Sequence, residues 1–412
     1  DYNKYSFSVN AGMDFNSKFS ARVSAQYVRN DSKGRAAQGS NDPNLLVPLV
    51  NGLPRTVDTR DIKNNWVDEY GKQITLDPDG KSNNPYWIIN KNKYTTRMDR
   101  VIGNIILTYK PFEGLTISNN AGTDFYNETR RKIYAKGTVG EMEGKFQTWD
   151  LANRIVNNDL MVTYEKTFDD FGIKGIFGHN INQREWTNNN TLANGLIVDG
   201  LYTYTNAKAT SPVNYYEIKR LMGIYFDLGF SYKSMAFLNV TGRNDWSSTL
   251  PVNNRSYFYP SVSLSAVISD MVQKNGGSMP DWFSFAKVRA SFAEVGNDLD
   301  PYQLYNVYTI SKDANGNSMA SAGSTLFDSS VKSELIKSWE IGADLRFFNN
   351  RFGIDAAWYK TNATNQLLNI PMDAFSGYES RKVNAGNIQN QGFELSLNGA
   401  IMQTASGFNW DA

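Results

Sequence analysis

The chain has 412 residues, a formal net charge of +1, no cysteine and a mean hydropathy of -0.49. The even charge balance excludes the basic footprint of a nucleic-acid binder. The missing cysteines exclude disulfides, thiolate catalysis and zinc–thiolate centres together. No run approaches the roughly 18 apolar residues that a membrane helix needs, and one of the most apolar stretches, 45–50, is interrupted by Pro48.

The predicted elements are strands, and they come in pairs. Over 19–27, Phe19, Ala21, Val23, Ala25 and Tyr27 share one face, while Ser20, Arg22, Ser24 and Gln26 share the other. This period of two marks a half-buried strand. A short turn at Asn16-Ser17 precedes it and a long polar segment, 30–99, follows. The next pair turns at 110–114 and opens into the polar segment 127–153; a third turns at 169–172 and opens into 185–217. Met222, Ile224, Phe226, Leu228, Phe230 and Tyr232 then line one face before a turn at Lys233-Ser234. Phe258, Pro260, Val262, Leu264, Ala266 and Ile268 repeat the pattern, followed by 270–283, longer than the other connections on that side. Beyond the polar segment 298–337, Trp339, Ile341, Ala343, Leu345 and Phe347 alternate with Glu340, Gly342, Asp344 and Arg346. The turn Asn349-Asn350, the polar segment 362–391 and a strand beginning at Phe408 complete the chain.

Short and long connections thus alternate, so one end of the sheet is trimmed and the other elaborated. Outer-membrane barrels have this asymmetry, with short periplasmic turns and long external loops. Their apolar-out, polar-in alternation also hides them from average hydropathy. Tyr27, Tyr109, Tyr164, Tyr232 and Phe347 sit near strand ends, where an interfacial girdle would lie. We read about thirteen complete strands and the start of another, each near the ~10 residues such barrels use. The predicted fold is all-β: an antiparallel, up-and-down transmembrane β-barrel with long extracellular loops. A barrel must close to hide its edges, so residues 1–412 are expected to be part of one barrel domain.

Catalytic chemistry is not visible. The single histidine, His179, has no cysteine partners and no nucleophile elbow, and no phosphate-cradling glycine loop occurs. Asp77-Pro78-Asp79-Gly80 and 313–317 lack the glycine at six and glutamate at twelve of a calcium loop, and are expected to be turns. No enzyme, metal site or cofactor is expected. The aromatic residues of the polar segments point elsewhere: Trp66, Tyr86, Trp87, Trp149, Trp186 and Trp246 are candidates for contacting cargo by stacking. Arg22, Gln26, Asp227, Arg289 and Arg346 are candidates for lining the lumen, by alternation.

Several motifs, in order along the chain, carry a family resemblance. Asn84-Pro85-Tyr86-Trp87 comes first. Gly242-Arg243-Asn244-Asp245-Trp246-Ser247-Ser248 is followed by Tyr257-Phe258-Tyr259-Pro260-Ser261-Val262-Ser263. Lys287-Val288-Arg289-Ala290-Ser291-Phe292 then precedes Gly296-Asn297-Asp298. Ser338-Trp339-Glu340-Ile341-Gly342, Asn384-Ala385-Gly386-Asn387-Ile388 and Gly392-Phe393-Glu394-Leu395 complete the set. Together they resemble the SusC/RagA family of TonB-dependent transporters. The resemblance implies a barrel of about 22 strands with a plugged lumen, in the outer membrane of a Gram-negative bacterium. It also implies a plug with a TonB box, energy from TonB–ExbB–ExbD, and a SusD-like surface lipoprotein over the mouth. The cargo would be oligosaccharide or oligopeptide, and outer-membrane lipid would surround the wall. Plug, TonB box and C-terminal strands are not expected within these residues. Arg243 and Asp245 are expected to pair where a strand leaves the sheet, and Gly296 and Gly386 to make tight turns at strand ends. A passive porin or adhesin barrel, and a secreted carbohydrate-binding β-protein, are the alternatives from pattern alone.

Overall fold

The computed structural model describes residues 1–34, 56–77, 79–313, 316–403 and 409–411. The 45–50 stretch, Pro78, Ala314, Asn315 and Phe408 lie outside the described residues. The strands are β1 (Tyr2–Asp14), β2 (Phe19–Lys33), β3 (Lys93–Tyr109), β4 (Leu115–Tyr134), β5 (Lys145–Phe168), β6 (Phe171–Leu196), β7 (Ala207–Tyr232) and β8 (Ala236–Ser247). They continue with β9 (Ser256–Val267), β10 (Phe283–Asn297), β11 (Tyr308–Lys312), β12 (Ser318–Ala322), β13 (Thr325–Leu326), β14 (Glu334–Phe347), β15 (Phe352–Pro371), β16 (Ser380–Gln403) and β17 (Asn409–Asp411).

Apart from the small β11–β12 hairpin, these form one 15-stranded sheet. Thirteen of them, β1 to β10 and β14 to β16, run as an antiparallel meander, and β17 starts the next strand along β16. The count therefore agrees with the pattern in the sequence. Only β13 is out of character, pairing in parallel with β16 through Thr325 and Leu326.

The turns fall where the short connections were read. Lys233 and Ser234 take φ of 50° and 57°, so the β7–β8 turn has two consecutive left-handed residues. That backbone matches the right-handed twist of the flanking strands. Phe348, Asn349 and Asn350 do the same between β14 and β15. The long connection at 270–283 takes in most of a seven-residue helix, Ile268–Lys274.

The long polar segments differ from expectation. β5 has 24 residues and β6 and β7 have 26 each, far beyond the ~10 needed to cross a bilayer. The 127–153 segment is strand except for 135–144, and 185–217 is strand except for 197–206. These extensions carry polar residues on both faces, as in the run Thr187, Asn188, Asn189 and Asn190 of β6. Alternation of apolar with polar disappears where neither face is apolar, although cross-strand pairing continues.

Over the lower part of the sheet the two faces are distinct. One is apolar: Phe7, Val9 and Met13 on β1 register against Tyr27, Ala25 and Ala21 on β2, which in turn face Val101, Gly103 and Leu107 on β3. Ile173, Phe177 and Ile181 on β6 continue that face against Phe230, Phe226 and Met222 on β7. His179 lies on the same apolar face, opposite Leu160 and Ile224. There too, Asn119 and Asn158 bond reciprocally through their amides at 3.2 Å, so each side chain answers the other. Arg22 and Gln26 lie on the opposite, polar face. We expect a cysteine placed at Arg22 to react with a membrane-impermeant thiol reagent and one at Val23 to be protected by lipid; equal labelling would overturn the assignment of faces.

Candidate functional site

The polar face is built from side chains that pair across strands. Arg22 on β2 meets Asp14 on β1 at 2.8 Å. Asp227 on β7 accepts from Asn239 on β8 at 2.6 Å. Arg346 reaches Asp344 along β14 at 3.3 Å. Arg289 on β10 contacts Glu340 on β14 at 3.1 Å and passes over that strand to Asp355 on β15 at 2.9 Å. Gly342 makes this reach possible, since a Cβ there would lie 2.7 Å from the guanidinium carbon. Tyr225 on β7 likewise crosses Gly178 on β6 to donate to Asp159 on β5 at 2.8 Å. Gln26 is exposed on this face. The wall's charges are therefore largely answered within the wall.

Higher up, the extended strands β4 to β7 carry a different surface. Register aligns Tyr126, Asn153, Trp186 and Glu217 in one row. Tyr126 and Trp186 pack edge to face at 6.3 Å between ring centres. A second row, further out, holds Arg130, Trp149 and Asn190. Below the first row, Asn157 accepts from Asn180 at 3.2 Å and Asn182 at 3.3 Å. Beside the second, Gln147 donates to Asn190 at 3.2 Å. Arg130 is held by Glu128 through two bonds of 2.7 and 2.8 Å. Tyr215 donates to Glu217 at 2.7 Å, and that bond to a carboxylate pushes its hydroxyl up to about 12. The result is a platform of rings and amides, with the charges of Arg130, Glu128 and Glu217 engaged by neighbours and both donors and acceptors on offer. Tyr126, Asn153 and Asn157 were not singled out in the sequence; only their place in the strand register reveals them.

The aromatic candidates separate into three groups. Trp149 and Trp186 share this platform and lie in β5 and β6, not in loops. Trp246 lies in β8, not in a loop, and its register neighbours Met222 and Ser256 place it on the apolar face. Trp66, Tyr86 and Trp87 form a loop cluster, with Trp66 and Trp87 6.3 Å apart. Within it, Trp87 is only 3% exposed, and its indole N–H donates to Thr138 at 2.9 Å. Its faces are used in packing within the loop cluster. Asn84 explains the motif around it: its side chain accepts from the Tyr86 amide and caps the helix Pro85–Lys91, with Pro85 in the first turn.

The remaining motifs form the base of the outer loops. Arg243 and Asp245 pair at 2.8 Å as expected, and Tyr259 also bonds Asp245, which is 3% exposed. Asp298 accepts from Lys219, Ser247 and Thr249, tying β7, β8 and the segment after β10 into one knot. Gly296 is not a turn residue. It lies inside β10, and its missing side chain makes room for the Tyr257 ring, 2.5 Å from where a Cβ would be. Gly386 does take a left-handed φ of 83°, but within β16, where the register skips Asn365. Asn365, with φ of 54°, lies opposite it; the two drop out of the ladder together and the register resumes unchanged on both sides, so this is a kink inside the strand pair rather than a strand end.

A long antiparallel meander with one apolar and one polar face, tight turns at one end and built-up strands at the other, is the wall of an outer-membrane-type β-barrel. The model of the family described as TonB dependent receptor-like, beta-barrel, matches residues 27–412, and the chain belongs to that family. TonB-dependent receptors P3 and P26 of Formosa agariphila are 25% and 24% identical over 343 residues, 79% of this chain. The chain spans about a third of the length of these curated relatives, 33% and 34%. Among solved structures, the RagAB peptide importer in its closed-closed state superposes with a TM-score of 0.80 at 19% identity, over 98% of this chain and 45% of that one. The ferripyoverdine receptor of Pseudomonas aeruginosa gives 0.53 at 13%, over 99% and 50%. These likenesses concern the fold. They agree with the SusC/RagA resemblance of the motifs.

Proposed function

We propose that this chain is wall and outer loops of a TonB-dependent outer-membrane importer of nutrient oligomers, oligosaccharide or oligopeptide. The polar face lines the lumen, and the apolar face meets lipid. A plug energised through TonB–ExbB–ExbD would fill the lumen, and a SusD-like lipoprotein would cover the mouth. The observation that carries the reading is the platform of Tyr126, Trp149 and Trp186 among neutral amides on the polar face, above the apolar band. Ring faces stack on sugar rings or peptide side chains, while amides match hydroxyls or backbone groups. Neither needs a charged ligand.

In the intact receptor, Trp149→Ala with Trp186→Ala should weaken cargo binding about tenfold to a hundredfold, from roughly 0.5–1.5 kcal/mol per stacked ring plus lost buried area. Isothermal titration with oligosaccharides and with oligopeptides would read this and choose the class. Undiminished binding of the natural cargo by the double variant would reject the platform as the capture site.

A further inference from the structure

We propose that a groove on the outer face, at the upper rim of the apolar band, binds the phosphorylated headgroup of an outer-leaflet glycolipid. This rests on the barrel reading above. On that face the last apolar row is Tyr27, Val101 and Phe125. The next rows up bring Arg29 opposite Asp99, Asp31 opposite Arg97, and Lys33 opposite Thr95. A cavity of about 700 Å³ opens there, bounded also by Arg131 and Asp150.

The arginines are set for an anion. Arg29 spends its Nε on Asp31 at 2.8 Å, and Arg97 its Nε on Asp99 at 3.2 Å. Their terminal Nη groups have no protein acceptor among the described residues. Asp99 is itself pinned by the Tyr27 hydroxyl at the edge of the band. Each fork is thus oriented by a carboxylate while keeping donors to spare, the arrangement that suits bidentate phosphate binding. Lys33 adds charge, and Arg131 gives one Nη to the Tyr202 carbonyl at 2.6 Å. Asp150 opposes. The position favours a lipid over a free anion, because acyl chains from a headgroup held here would run down the apolar column below Tyr27.

The test uses the intact receptor purified from outer membranes, with bound glycolipid measured by native mass spectrometry. Arg29→Gln with Arg97→Gln should lower retention about twenty-five-fold, as two roughly fivefold losses at a membrane surface. Asp150→Asn should raise it, which guards against a result caused by misfolding. Added lipid A bisphosphate should bind, and its dephosphorylated form should not. Unchanged retention in the double variant, equal binding of the dephosphorylated lipid, or displacement by millimolar inorganic phosphate would each overturn the proposal. A receptor that stays soluble without detergent would instead overturn the barrel reading beneath it.

Discussion

Replacing Asp298 by alanine is expected to destabilise the loop base by about 3–5 kcal/mol, the range for breaking a buried ion pair by removing one partner. The Asp298 side chain is 8% exposed and accepts from three groups: Lys219, Ser247 and Thr249. Alanine would leave the Lys219 ammonium facing a buried carboxylate's empty place. Lys219 also donates to the Leu299 carbonyl at 3.1 Å, so the disturbance would reach the apolar knot of Leu250, Leu299 and Val331. Hydrogen exchange should quicken over 248–255 and 298–307 while the lower meander stays protected. Asp298→Asn keeps acceptor capacity and should cost less. Unaltered exchange in both segments would show that the knot is not held by this carboxylate.

Trp87→Ala is expected to have an effect of similar size but in a different place. Truncating a buried tryptophan costs about 3–5 kcal/mol through lost burial and the cavity left behind. The loss should appear as local opening of 66–92 and 135–144, because Trp87 joins these segments through Thr138 and its contact with Trp66. Gln73 and Asn83 bond across the same seam, to Gly137 at 2.9 Å and to Val139 at 3.1 Å. Limited proteolysis of the outer loops in the intact receptor would measure it. A variant that loses cargo affinity while its loops resist protease as before would return Trp87 to the cargo-contacting residues.

Alternation, turn chemistry and loop parity are local properties, so the amino-acid sequence determined the barrel class, the number of strands and the two faces over the membrane-crossing part. The ordered motifs carried the family resemblance, and some of them make specific local contacts, such as Arg243 with Asp245 and Asn84 with the Tyr86 amide. Three things were decided only by tertiary structure. The strands continue well past the apolar band, where both faces are polar and periodicity carries no signal, so Trp149 and Trp186 proved to be strand residues. Burial of Trp87 depends on segments 51 residues apart meeting over one indole, with Thr138 as its partner. The reach of Arg289 to Asp355 depends on Gly342 lying between them, a juxtaposition across three strands that no sequence spacing encodes.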